Sequence, residues 1–498
     1  MKAAARSTVF AFAGFVALLV LLSAYFADNR KTDVDELALY NPAYMVAHYG
    51  RLTYPVETFF DKPMIVHPPV HTGLIGLLQR LGFTWYYAEG TPTAFFLLLA
   101  IWIIVRGNFP APVKLGLLCG VGLLVTKGEM IASFFGSRPE GTLHSAWFAA
   151  LLLLEAGRLN HWNRASLFGG AFLLTWASSL HYYATPALAG LGVYLVWVVL
   201  SLGWKDAKSR VIALVGGSLL FALPYLALYV APNWTGIVAV IRYHQAGADL
   251  SPTNLSPIGQ HFDWYRQWST AGYFPAVLRW AMGLGVPLMC FSTVVLGAVR
   301  STRGMALASL SLQLGIFFFA SHKPGVYLIH EVALFGAALA VGTVVLLDRF
   351  ARRPAVMPIA AAALGLYLAS GMAPLRGAEV HPADLARAAT RQILGPHARV
   401  VSRPGAWYSS GAESWHDYHH DLTGPSSFDY DPVRYMQNFD AAADYPFRAG
   451  FDDDNREHKT LSSWYASGLL KLRGFYFAPQ SGDLRLVLLS LNRPTKLV

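Results

Sequence analysis

The chain has 498 residues, of which 54% are hydrophobic and only 14% charged. Ordinary soluble chains carry about 25% charged residues, so this one lacks the polar surface to face water on all sides and reads as a polytopic membrane protein. Its formal charge of +10 does not point to nucleic acid, because residues 376 to 498 hold 14 basic and 14 acidic side chains and the excess belongs to the apolar remainder.

The first apolar run extends from Thr8 to Ala27 behind Lys2 and Arg6. It exceeds a signal-peptide core of about 7 to 15 residues, and Tyr25 is bulky where cleavage needs a small residue, so it reads as a permanent helix. Further spans are predicted near 91 to 107, 112 to 127, 141 to 157, 165 to 180, 183 to 203, 208 to 230, 274 to 299, 304 to 320, 327 to 348 and 354 to 373, which makes eleven. With the N-terminus in the cytoplasm, the short inner segments carry 14 basic residues against three acidic ones, Glu155, Asp206 and Asp348. Lys and Arg in short loops set orientation, so residues 28 to 90, residues 231 to 273 and the tail from 376 onward are expected outside. Cys119 and Cys290 both lie in apolar runs, which excludes a disulfide framework or a zinc cluster.

Within the first outer segment, Val70 to Leu81 follows His67-Pro68-Pro69 and ends at Gly82. About 12 apolar residues are too few to cross a bilayer, and a helix lying along the interface is expected. The tail is read as a small α/β domain, with a helix over Ala383 to Ile393 and strands at Arg399 to Ser402, Phe475 to Ala478 and Leu484 to Leu489. His419 and His420 have no partners at metal-ligand spacing and are assigned a packing or solvated role.

Chemistry-bearing residues cluster in three of the outer segments. The first is Lys31-Thr32-Asp33-Val34-Asp35-Glu36, followed by Tyr40, Gly50-Arg51 and His67-Pro68-Pro69. Carboxylates crowded at a membrane surface repel one another unless a cation or proton donor meets them. The second is Ser137-Arg138-Pro139-Glu140-Gly141, opening the fourth predicted span, where a solvated pair with Glu140 on the helix dipole is the alternative. The third is Ser321-His322-Lys323-Pro324-Gly325-Val326-Tyr327, before the tenth. His181-Tyr182-Tyr183 stands at another outer helix end, as a site element or an interfacial anchor.

In order and spacing over residues 1 to 350, these segments resemble the membrane glycosyltransferases of the GT-C fold, specifically the bacterial relatives of aminoarabinose transferase and protein O-mannosyltransferases. That family takes a sugar from a polyprenyl phosphate. Its first outer loop carries an Asp-Glu pair, here Asp35-Glu36, and a Lys-Pro-Pro-like turn, where this chain has His67 in place of the lysine.

The resemblance implies an enzyme of the bacterial inner membrane with its site and tail on the periplasmic side. Such an enzyme needs an apolar groove for the isoprenoid, cations for the leaving phosphate and a carboxylate to take the acceptor proton. Asp35 is the expected general base, inverting the anomeric carbon, with Glu36 in support. Arg138 and Lys323, then His67, are the expected phosphate partners. Glu140 would orient a substrate hydroxyl or hold Arg138, and Tyr327, His181 and Tyr182 would line the site. The expected partners are a polyprenyl-phosphate sugar, an extracytoplasmic acceptor (lipid, glycan or protein) and membrane lipid, with no nucleic acid. No cofactor is required; Asp33 and Asp35 have the spacing of a divalent-cation motif, although metal-free chemistry is favoured. The rival readings are a transporter or flippase of lipid-linked glycans and a non-catalytic membrane assembly subunit. An enzyme alone requires Asp35, Arg138 and Lys323 to converge in one cavity.

Overall fold

A computed structural model of the chain describes residues 2–25, 68–83, 85–126, 139–181, 187–238, 293–308 and 355–372, with parts of the tail (392–395, 399–402, 414–417, 440–444, 463–477 and 484–492) and a few single positions between them. By internal contacts the chain divides into two units, Met1–Ala27 with Met64–Arg376, and Asp28–Pro63 with Gly377–Val498.

The first unit is helical. Its elements are α1 (Lys2–Tyr25), α2 (Pro69–Arg80), α3 (Trp85–Arg106), α4 (Ala111–Val125), α5 (Pro139–Leu159), α6 (Arg164–Ser178), α7 (Ala187–Leu202), α8 (Trp204–Tyr225) and α9 (Val356–Ser370). Helix α8 continues through Leu226–Val230 as a π-helical turn directly after Pro224. Proline has no N–H to donate back to the carbonyl four residues earlier, yet the rod continues past it. By length and composition, Ala5–Tyr25, Tyr87–Arg106 and Trp204–Val230 can each cross a membrane. The predicted spans over 274 to 299, 304 to 320 and 327 to 348 lie largely outside the described residues.

Large apolar side chains stand open on the outer helices, Leu200 at 79% and Leu228 at 80% exposure. Such a surface is compatible with lipid tails as solvent and incompatible with water. Helix α5 is the opposite case, buried on every side although it carries Glu140, His144, Glu155 and Arg158. It packs on α3 and α6, and α6 packs in turn on α8. Helix α1 lies against α3, α4 and α9, and the Ser23 hydroxyl donates to the Val125 carbonyl at the end of α4 over 2.6 Å. Backbone carbonyls at a helix end lack intrahelical donors, so this bond fixes the two ends together.

In the second unit a five-stranded sheet has the order β2-β1-β3-β5-β4, with β1 (Arg399–Ser402), β2 (Ser414–Asp417), β3 (Ala441–Asp444), β4 (Leu470–Phe477) and β5 (Leu484–Leu491). Strand β1 pairs in parallel with β2 and β3, while β5 pairs antiparallel with β3 and β4. Strand β1 coincides with an expected segment, β5 runs two residues past the expected Leu484 to Leu489, and β4 overlaps the expected Phe475 to Ala478 only at its C-terminal end. The helix expected over Ala383 to Ile393 lies almost wholly outside the described residues.

Candidate functional site

Of the residues singled out in the sequence, Glu140 and His181 fall among the described ones. Asp33, Asp35, Glu36, His67, Arg138, Tyr182, Lys323 and Tyr327 lie outside them.

Helix α5 opens on Pro139, which as a first helical residue has no N–H to leave unpaired, and Glu140 sits in its first turn, where a carboxylate complements the helix dipole. Glu140 is 1% exposed and His144 2%. Four residues apart, they share one face. The same face continues through Trp147 and Leu151 to Glu155 and Arg158 at the other end.

A second face of α5 meets α3. The Thr93 and Thr142 hydroxyls lie 3.2 Å apart. Farther toward the N-terminal ends, a Cβ built on Gly90 would stand 3.6 Å from the Phe135 carbonyl oxygen, so the chain leading into α5 rests on α3 there. The two contacts come in the same order along both segments, so α3 and α5 run in the same direction with their N-terminal ends side by side. Glu89, one turn before Thr93 on the face that meets α5, is buried at that end. Helix α2 packs on both α3 and α5 and buries His71 and Thr72.

Three packed helices therefore bury four ionisable side chains, His71, Glu89, Glu140 and His144, and each of them is held by an interaction. Ionisable groups inside a membrane protein are costly and rarely kept without a task. Together they supply proton acceptors, hydrogen-bond donors and negative charge. His181 stands half-buried just beyond α6, with its carbonyl accepting from the Ala184 amide over 3.0 Å. Among the described residues no three or more His, Cys, Asp or Glu side chains gather as metal ligands.

His71, Glu89 and His144 were not read from the sequence. His71 follows the His67-Pro68-Pro69 turn closely, Glu89 stands two residues before a predicted span, and His144 lies inside one. The signal present was spacing, since Glu89 with Thr93 and Glu140 with His144 are both four-residue pairs that a helix places on one face.

No protein-family model and no curated protein sequence matches the chain. Two solved structures match it nearly end to end. One is ArnT from Cupriavidus metallidurans bound to undecaprenyl phosphate, with a TM-score of 0.58, 14% identity, and 95% of this chain and 97% of that one covered. The other is the same protein in the apo state, with a TM-score of 0.57, 14% identity, and 96% and 97% covered. The chain has the fold of ArnT. At 14% identity the likeness to ArnT is one of fold, and it agrees with the GT-C resemblance carried by the outer-loop motifs. The ArnT fold accounts for a mostly helical membrane body, and the likeness to ArnT extends over nearly the whole chain, tail included.

Proposed function

We propose that this protein is an integral-membrane glycosyltransferase that moves a sugar from a polyprenyl-phosphate carrier to an extracytoplasmic acceptor, with inversion at the anomeric carbon. The observation that carries the reading is the fold, shared over 95% of the chain with an ArnT bound to undecaprenyl phosphate. In support stand the three motifs in family order and the burial of Glu140 at the N-terminal end of α5.

In this reading, eleven spans place the N-terminus in the cytoplasm and the tail outside, so that residues 1 to 375 form the catalytic body and 376 to 498 an outer α/β domain. Asp35 takes the acceptor proton with Glu36 beside it. Arg138 and Lys323, with His67, meet the carrier phosphate as it leaves, and Tyr327, His181 and Tyr182 line the approach. Glu140 orients a substrate hydroxyl. The chemistry runs without a metal or cofactor, since cationic side chains neutralise the leaving phosphate.

Replacement of Lys323 or Arg138 by Ala is expected to weaken donor use without unfolding the protein. One charge-assisted contact is worth about 1.5 to 3 kcal/mol, which corresponds to roughly a tenfold to hundredfold loss. Initial rates against donor concentration check this, and wild-type kinetics in both variants would contradict the assignment.

A further inference from the structure

We infer that α1, α3 and α4 form a binding site for an anionic phospholipid of the inner leaflet, its phosphate held by Arg6, Arg106 and Lys114 and its acyl chains lying over Phe10 and Trp102. The site stands apart from the sugar-transfer chemistry and takes from the reading above only the orientation, with the N-terminus inside.

Helix α1 packs on both α3 and α4. The Lys114 ammonium, in the first turn of α4, donates to the Val105 carbonyl at the end of α3. That bond sets Lys114 beside Arg106, the last residue of α3. Arg6 of α1 lies close enough for its charge to act on the Lys114 ammonium. Three helices thus bring three cations to one end of the bundle, where like charges repel. Among the described residues no carboxylate answers them. Helices α1, α4 and α9 contain no acidic residue, and the one in α3, Glu89, lies at its other end. Arg6 and Arg106 are exposed and enter no ion pair among the described residues.

Positive charge in inner segments sets orientation wherever it stands, so cations alone would not mark a site. The surface next to them does. Helix α4 meets the end of α3 by its start and the end of α1 by its own, so α3 runs opposite to α1. On α1 the exposed Phe10 lies one turn deeper in the membrane than Arg6, whose guanidinium stacks over its ring 5.7 Å from the centre. On α3 the exposed Trp102 lies one turn deeper than Arg106. Each helix therefore carries a cation and, four residues deeper on the same face, an open aromatic ring. Charge at headgroup depth with apolar surface deeper is the order of groups along a phospholipid. A zwitterionic headgroup would bring a further cation to the cluster, whereas an anionic one brings only the missing counter-charge.

The test titrates the full-length protein in detergent with phosphatidylglycerol and phosphatidylcholine of identical acyl chains, and native mass spectrometry counts the adducts. Phosphatidylglycerol is expected to bind about tenfold more tightly. Arg6→Gln, Arg106→Gln and Lys114→Gln should each weaken it about fivefold, and the triple variant roughly a hundredfold. Replacing Lys205 and Lys208, exposed cations at the start of α8, by Gln should leave it unchanged. Equal binding of the two lipids, or an equal loss from the Lys205 and Lys208 pair, would overturn the inference in favour of diffuse surface charge. Displacement of the lipid by millimolar inorganic phosphate would overturn it in favour of a free-anion site. If Lys114→Gln does not fold, Arg6→Gln and Arg106→Gln decide alone, since both side chains are exposed. Sugar transfer is not read by this titration, so either result leaves the functional reading standing.

Discussion

Asp35→Asn is expected to bind the polyprenyl-phosphate donor and transfer no sugar. The substitution preserves shape and hydrogen bonding while removing basicity, and loss of general-base help costs about a hundredfold to ten-thousandfold. Position 35 follows the end of α1 at Tyr25 by only ten residues in sequence, and in the proposed reading that short spacing brings its carboxylate to the membrane surface with the carrier phosphate. Asp33 is the internal control, with the same chemistry two residues away. Asp33→Asn should retain substantial activity. Single-turnover transfer, measured beside donor binding, separates the outcomes. The reverse ranking would move the base to Asp33 or favour a metal-holding pair, and full activity in both would remove the first loop from the chemistry.

The second large effect is expected far from that chemistry, at the C-terminal end of α5. Glu155 is fully buried and receives two bonds from the Arg158 guanidinium, at 3.0 Å and 2.6 Å. Arg158 also donates to the Arg300 carbonyl and stacks over the Trp197 ring, 5.4 Å from its centre. The Tyr194 hydroxyl donates to the Leu154 carbonyl, and its ring meets Trp197 edge to face. The cluster thereby ties α5 and α7 to the turn around residue 300. Gly304 completes it, because a Cβ there would collide with a Glu155 carboxylate oxygen.

Removing one member of a buried ion pair strands the other charge, which costs about 3 to 5 kcal/mol. Arg158→Ala is therefore expected to lower thermal stability in detergent sharply. Replacing both partners by apolar residues of similar volume should recover most of the loss, because no charge then remains buried. A double replacement as unstable as Arg158→Ala would show that packing around Trp197, rather than charge, holds the cluster.

How far the sequence could be read depended on the kind of signal. Apolar length located α1, α4, α6 and α9 closely, and the 12-residue piece after His67-Pro68-Pro69 became α2 over Pro69–Arg80. Strands β1 and β5 and the C-terminal end of β4 were legible from β-branched and aromatic residues. Strand β3 was not, since Ala441-Ala442-Ala443-Asp444 favours a helix by intrinsic propensity. It is a strand because it pairs with both β1 and β5, where Ala441 and Ala442 are fully buried. Tertiary context outweighs propensity at such a place.

At the candidate site, Glu140 was legible through its motif, whereas Glu89 fell one or two residues before a span defined by hydropathy. A carboxylate at a span boundary looks like a water-facing end until a neighbouring helix covers it. That covering is a packing fact, with the Phe135 backbone lying against Gly90 and Thr142 meeting Thr93. The Glu155–Arg158 pair was likewise read only as part of the charge that orients the chain. Its burial comes from Trp197 and the residue 300 turn, which are distant in sequence.

The central claim, that this protein spends a lipid-linked sugar on an outer acceptor, is tested most directly in cells lacking it. Mass spectrometry of polyprenyl-phosphate sugars and of envelope glycoconjugates would compare the deletion strain complemented by wild type or by Asp35→Asn. The deletion strain is expected to accumulate a polyprenyl-phosphate sugar, and one envelope component to lose the mass of that sugar. Wild type should restore both and Asp35→Asn neither. Unchanged lipid-linked sugars and envelope components in the deletion strain, or full restoration by Asp35→Asn, would contradict it.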